Sequence, residues 1–195
     1  MNILKTMPVA FVAAFAAIGM LLSCEKAENL FCGYTAYFHY NPVSAKPNLY
    51  RACTSLGEFC TITYPLGVGQ NYVVKSPSTP SYTDYIPRTA LQGYREFILG
   101  IGGGLIVGKP MMPEMLEQES YVVCYDLCCS NCYHDYHFQK QLNVGVGGIA
   151  SCPSCRRIYD LNNQGMVSSG EVGRSLFRYY VNYHTSTQTL TVSNK

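Results

Sequence analysis

Residues 151–170, SCPSCRRIYDLNNQGMVSSG, decide how this chain is read. Cys152 and Cys155 flank a Pro-Ser pair, and a hairpin pattern follows at once. A CxxC turn points two sulfurs the same way, and nearby backbone N–H groups can hydrogen-bond the thiolates. A second such pair, Cys129-Ser-Asn-Cys132, lies upstream across 19 intervening residues. Two facing pairs make a tetrahedral four-sulfur cage, and their spacing fits a four-ligand metal site.

The surrounding pattern is mostly β. Tyr34–Tyr40, Phe59–Tyr64, Asn71–Lys75, Glu96–Ile101, Gly104–Gly108 and Tyr121–Leu127 read as strands bounded by turn residues. So do Phe138–Val144, Arg157–Leu161, Arg178–Tyr183 and Thr189–Val192, the last two forming a closing hairpin. Helix is confined to Lys46–Leu56 and Tyr82–Tyr94, and Pro77–Pro87 is the stretch richest in loop residues. Many short strands predict an all-β domain, a small sandwich of antiparallel sheets carrying a metal-binding loop-and-hairpin subdomain.

The N-terminus reads as a targeting segment. Met7–Leu22 is apolar and uncharged, with Lys5 before it, and is short for a membrane span. It ends in Leu21-Leu22-Ser23-Cys24, which resembles the lipobox of bacterial lipoproteins. That resemblance implies a signal peptide over 1–23, cleavage before Cys24, lipidation of its sulfur and attachment to a bacterial membrane. Residues 24–33 then form a lipidated tether and 34–195 the domain, with 121–172 as its metal-binding part. The outer membrane or the cell surface is the expected location.

Hydrophobic residues make up 48% of the chain and charged residues 13%, enough apolar material for one sizeable core. The formal charge is +2 and no basic cluster exceeds Arg156-Arg157, so the electrostatic footprint of nucleic-acid binding is missing. No catalytic set of His with a Ser or Cys nucleophile is visible. Gly103–Pro110 approaches a phosphate-binding loop, but Pro110 stands where a magnesium-binding hydroxyl is needed, so a glycine-rich turn between strands is expected.

Ten cysteines are present. An exported protein meets an oxidising compartment, so disulfides compete with metal, and Cys53 with Cys60 is a plausible pair. The motif Cys152-Pro-x-Cys155-x-x-x-Tyr159-Asp160, continuing through Gly165, Val167 and Gly170, resembles the second cluster-binding motif of Rieske iron–sulfur domains. Cys155 stands where that family carries His. The resemblance covers roughly Tyr121–Lys195 and implies a [2Fe–2S] cluster, electron transfer and a redox protein partner.

Two ligand sets compete. One is Cys129, Cys132, Cys152 and Cys155. The other replaces Cys129 by His134, because Cys132-Tyr133-His134 matches the family's Cys-x-His first motif. Neither is the two-Cys, two-His Rieske set, whose imidazoles raise the potential above that of all-cysteine clusters. Four thiolates equally suit a single iron or structural Zn2+, the latter in a binding or scaffold protein, and a disulfide-stapled β domain without metal is the third reading.

Overall fold

The computed structural model describes residues 31–65, 71–88, 97–112 and 121–194. The expected signal segment, Cys24 and most of the expected tether lie outside the described residues.

Among the described residues, thirteen strands fall into two sheets: β1 (Ala36–Tyr40), β2 (Glu58–Thr63), β3 (Asn71–Lys75), β4 (Thr83–Pro87), β5 (Ile98–Leu99), β6 (Gly104–Lys109), β7 (Val123–Asp126), β8 (Asn143–Gly145), β9 (Ile149–Ser151), β10 (Ile158–Asp160), β11 (Met166–Ser169), β12 (Arg178–His184) and β13 (Thr189–Ser193). The larger sheet has the order β4-β3-β2-β6-β7-β12-β13-β1-β5, and the smaller one β11-β10-β9-β8. Every pairing between these strands is antiparallel. The all-β expectation holds.

The larger sheet must curl over. β5 is its last strand, yet the chain enters β6, in mid-sheet, at Gly104, only five residues beyond Leu99. Laid flat, the strand steps from β6 to β5 would cover about 24 Å at ~4.8 Å each. Five residues reach at most about 18 Å. The curl wraps a core that includes Phe38, Leu49, Ile62, Val74, Ile86, Leu105, Tyr179 and Leu190.

Asp126, wholly buried at the end of β7, pins this closure. Its carboxylate accepts the N–H groups of Ile101 (2.6 Å) and Gly102 (3.0 Å), the Tyr179 hydroxyl (2.7 Å) and the N–H of Cys128 (2.8 Å). A Cβ on Gly102 would stand 2.8 Å from the Cys128 nitrogen, so the Gly-rich turn is needed for this close approach. Burial pushes the Asp126 carboxyl up, opposed by these donors.

Helix α1 (Pro47–Thr54) matches the expected Lys46–Leu56 segment, with Pro47 in its first turn, where a missing N–H costs nothing. Its face of Asn48, Leu49, Ala52 and Cys53 is buried. Asn48 donates its backbone N–H to Asp84 of β4 (2.8 Å), fixing the helix across the sheet.

Three sequence expectations fail. Thr83–Pro87 is strand β4, paired with β3 from Asn71↔Pro87 to Lys75↔Thr83, although the segment reads as loop and as the start of a helix. Asp84 and Ile86 point inward there while Tyr85 points out, a two-residue period that the helical reading overlooks. The remainder of the Tyr82–Tyr94 helix falls mostly outside the described residues. Phe138–Val144 is strand only at its end, where β8 begins at Asn143. Finally, the smaller sheet uses a strand not anticipated, β9, too short to show a periodic pattern, whereas β11 pairs with β10 as the expected hairpin.

Candidate metal centre

The smaller sheet is an excursion between β7 and β12 that packs on the larger sheet through a second core, to which β2, β6 and β7 give Phe59, Ile106 and Tyr125 and the excursion gives Leu142, Tyr159, Leu161 and Leu176. Cys129, Cys132 and Cys152 are buried in that core and Cys155 is packed against it.

The first cysteine pair sits at the start of α2 (Ser130–Tyr136), a short helix absent from the sequence expectations. Cys129 is its N-cap, with φ −66° and ψ 113°, and its sulfur accepts the N–H of Cys132 at 3.5 Å. A thiolate here takes the position of a capping Ser or Asp oxygen. His137 ends the helix in the left-handed region at φ 55°, returning its N–H to the carbonyls of Cys132 and Tyr133. Two backbone bonds then fasten this knuckle to the returning chain: Cys129 N–H to Lys140 O (2.8 Å) and Leu142 N–H to Leu127 O (2.8 Å).

The second pair sits in the turn between β9 and β10. Arg156 adopts φ 61° and donates its N–H to the Cys152 carbonyl at 3.0 Å, while the Cys152 N–H reaches Arg157 O at 2.9 Å. This tight turn carries Cys152 and Cys155 toward the first knuckle.

All four sulfurs lie within 4.8 Å of one another. Cys129 to Cys155 and Cys132 to Cys152 are each 3.6 Å. A tetrahedral ion with metal–sulfur bonds of about 2.3 Å has a sulfur–sulfur edge of about 3.8 Å. The cage could therefore hold a metal ion. His134 is not part of it: its side chain is 54% exposed and its Nδ1 lies 3.2 Å from Asp135. The geometry thus assembles the four-cysteine set.

Tyr159 explains the aromatic-Asp pair of the motif. Its ring is fully buried on β10, and its hydroxyl lies 3.1 Å from the Cys129 sulfur. Asn131 donates to that same hydroxyl at 2.9 Å, leaving the phenolic hydrogen for the sulfur. Asn131 is in turn held by Arg174, whose backbone N–H it accepts and whose carbonyl it bonds, both at 2.9 Å. Asp160 begins the hairpin turn, its carboxylate accepting the Asn162 N–H at 2.9 Å and its carbonyl the Gly165 N–H at 2.9 Å.

Arg157 places positive charge beside the cage. It is only 6% exposed and pairs with Glu171 at 2.8 Å. Burial raises the Cys155 thiol, but hydrogen bonds from the Arg157 backbone and guanidinium, with those of Cys152 and Cys129, outweigh it and bring the thiol down to about 7. Cys132 is pushed up to about 11 by burial, and Cys129 is raised further by the same cause. A bound cation reverses that logic by displacing protons from all ligands. Sequence reasoning does not single out Asn131 or Arg157. The only signal for them is their place, one inside a CxxC and the other two residues after one.

Cys53 and Cys60 are separate buried thiols, so the disulfide considered for them is not formed. One stands on α1 and the other on β2, both facing the larger core. Neither models of known families nor curated proteins give a match to this chain.

Proposed function

We propose that this chain is an exported, lipid-anchored β-domain protein whose smaller subdomain is closed by a single zinc ion on Cys129, Cys132, Cys152 and Cys155. The observation that carries the reading is the mutual 4.8 Å limit on all four sulfurs. It suits one tetrahedral ion. A [2Fe–2S] cluster shares its four ligands between two irons, so sulfurs on different irons lie farther apart than sulfurs on one ion. Four protein ligands also leave no open coordination position for substrate, which favours a structural ion over a catalytic one. Zinc here clips two loops together in a protein with a binding or scaffold role. The Leu21-Leu22-Ser23-Cys24 sequence supports lipid anchoring at Cys24.

A second reading has its own support. The Tyr159-Asp160, Gly165, Val167 and Gly170 offsets, with the Tyr159 hydroxyl against Cys129, favour a Rieske-like [2Fe–2S] electron carrier serving a redox protein. Without imidazole ligands its potential would fall toward that of all-cysteine clusters.

Zinc, iron and acid-labile sulfide content, with the visible spectrum, separate these readings in protein purified without added reductant. Colourless protein with one zinc per chain and no sulfide is expected. Brown protein with two irons and labile sulfide replaces the zinc reading by the second. Metal-free protein lacking free thiols at these positions overturns both in favour of disulfides, for which Cys129 with Cys155 and Cys132 with Cys152 are the near pairs.

A further inference from the structure

Phe31, where the described residues begin, lies against an exposed aromatic ring. Phe31 stacks on Tyr180 with ring centroids 3.8 Å apart, and Cys32 donates its N–H to Arg178 O at 2.9 Å, laying this segment along the start of β12. Tyr34 then meets Tyr133 edge-on at 5.5 Å and Phe177 at 5.2 Å, while Tyr133 meets Phe177 at 5.8 Å. Tyr133 also touches His137 edge-on at 5.8 Å. Tyr136 follows Tyr133 at three positions, so both share one side of α2. Phe138 continues the surface, its ring 6.2 Å from that of Tyr136.

These rings are not spent on the core. Tyr136 is 67% exposed, Phe138 64%, Tyr180 46% and Tyr34 41%. Large aromatics grouped on a soluble domain mark a contact surface. Tyrosine has an apolar body and a polar tip, which suits the boundary between lipid and water.

We propose that the face built from Tyr34, Tyr133, Tyr136, Phe138 and Phe177 rests in the headgroup layer of the membrane that anchors the chain. The inference rests on the lipid-anchored reading. Its occupant follows from the length of the tether. Cys24 lies seven residues before Phe31, and seven residues span at most about 25 Å. A lipidated Cys24 therefore keeps Phe31 within about 25 Å of the bilayer. Tethering makes a second, weak contact effectively intramolecular, so modest ring burial suffices to orient the domain. In that orientation α2 and the first cysteine knuckle lie on the membrane side.

The chain has no tryptophan, so one introduced indole is the sole reporter of its kind. Phe138→Trp and Tyr136→Trp replace exposed aromatics by another aromatic. Tyr85→Trp, on the edge strand β4 and 48% exposed, serves as the control outside the face. Each full-length variant is expressed with a labelled fatty acid and reconstituted in phosphatidylethanolamine–phosphatidylglycerol vesicles containing brominated acyl chains. Emission from the Phe138→Trp and Tyr136→Trp variants should shift to the blue and be quenched at least twofold by the brominated lipid. The Tyr85→Trp reporter should instead answer to aqueous iodide. Acylated protein whose Phe138→Trp and Tyr136→Trp reporters behave like the control overturns the orientation and leaves the anchor standing. Reporters shielded from iodide yet unquenched by lipid assign the face to a protein contact and also overturn it. Chain that incorporates no fatty acid overturns the anchor and this inference together.

Discussion

Each of the two cores holds three buried cysteines with a fourth packed against it, and the two sets behave in opposite ways. In the larger core these are Cys53, Cys60 and Cys124, with Cys32 beside them. In the smaller they are Cys129, Cys132 and Cys152, with Cys155 beside them. The first four come from four separate segments around the curled sheet and serve as small apolar packing groups. Burial raises their thiols, Cys53 to about 12 and Cys60 and Cys124 well above the ordinary value. The second four arrive on two tight turns, converge within 4.8 Å and face backbone donors, a phenol and a guanidinium. The number of cysteines is equal. What separates chemistry from packing is convergence, and convergence is supplied by the CxxC turns.

The sharpest way to break that contrast is one substitution in each set. Cys129→Ser should abolish metal binding and open the subdomain, because binding free energy at a structural zinc site is folding free energy, about 10–16 kcal/mol in zinc-finger peptides. Hydrogen exchange should then accelerate over residues 127–177 while β2, β6 and β7 stay protected. Cys60→Ala should retain full metal content and cost about 1 kcal/mol for the lost packing, read from the urea midpoint. If Cys60→Ala also empties the site, the two cores are not independent and the contrast fails.

Alkaline pH sharpens it further. Cys53 titrates near 12 in the folded protein against an ordinary 9.0, so between those values the unfolded chain releases a proton that the folded chain keeps. Stability contributed by the neutral thiol is complete below about pH 9 and is lost as pH rises toward 12. The slope is about 1.4 kcal/mol per pH unit for each such group. Cys60 and Cys124 act in the same direction. Urea midpoints should therefore fall steeply above about pH 9, as pH rises toward 12, and Cys53→Ala should reduce that fall. An unchanged slope in Cys53→Ala would remove Cys53 from the titrating set.

Where the sequence is informative follows the same division. The CxxC spacing marks all four sulfurs, because the turn that aligns them is local. Short runs rich in β-branched and aromatic residues, such as Asn71–Lys75 and Arg178–Tyr183, are visible for the same reason. What is hidden depends on distant partners. β4 is a strand because β3 pairs with it, against a Pro-rich local pattern. Cys53 and Cys60 are a plausible disulfide in sequence, but α1 and the strand after it carry them as free thiols in a shared core. Asn131 matters only because Tyr159 and Arg174, 28 and 43 residues away, come to it.

Tyr159→Phe probes those partners with a smaller effect. It removes the hydroxyl 3.1 Å from Cys129 and leaves the Asn131 amide one acceptor short, although that amide still reaches Arg174 O. Outer hydrogen bonds to metal ligands typically carry a 10–100-fold effect on affinity, so a loss of about 10-fold is expected in competition with a chromogenic chelator, with the fold retained. Unchanged affinity would reduce Tyr159 to a packing residue.

The smallest effect is expected at His134, and it decides between the two ligand sets. His134 follows Cys132 by two residues, the spacing that makes it a rival to Cys129. On α2 a step of two places side chains on different sides of the helix. Cys132 turns inward to the cage at 3% exposure, and the His134 side chain faces water beside Asp135. His134→Ala removes one exposed polar contact with Asp135, worth at most about 1 kcal/mol. It should leave metal stoichiometry, chelator competition and exchange over residues 127–177 as in the parent protein. Loss of metal in His134→Ala, with metal kept in Cys129→Ser, would transfer the fourth ligand to the imidazole and replace the symmetric four-sulfur cage by a mixed one.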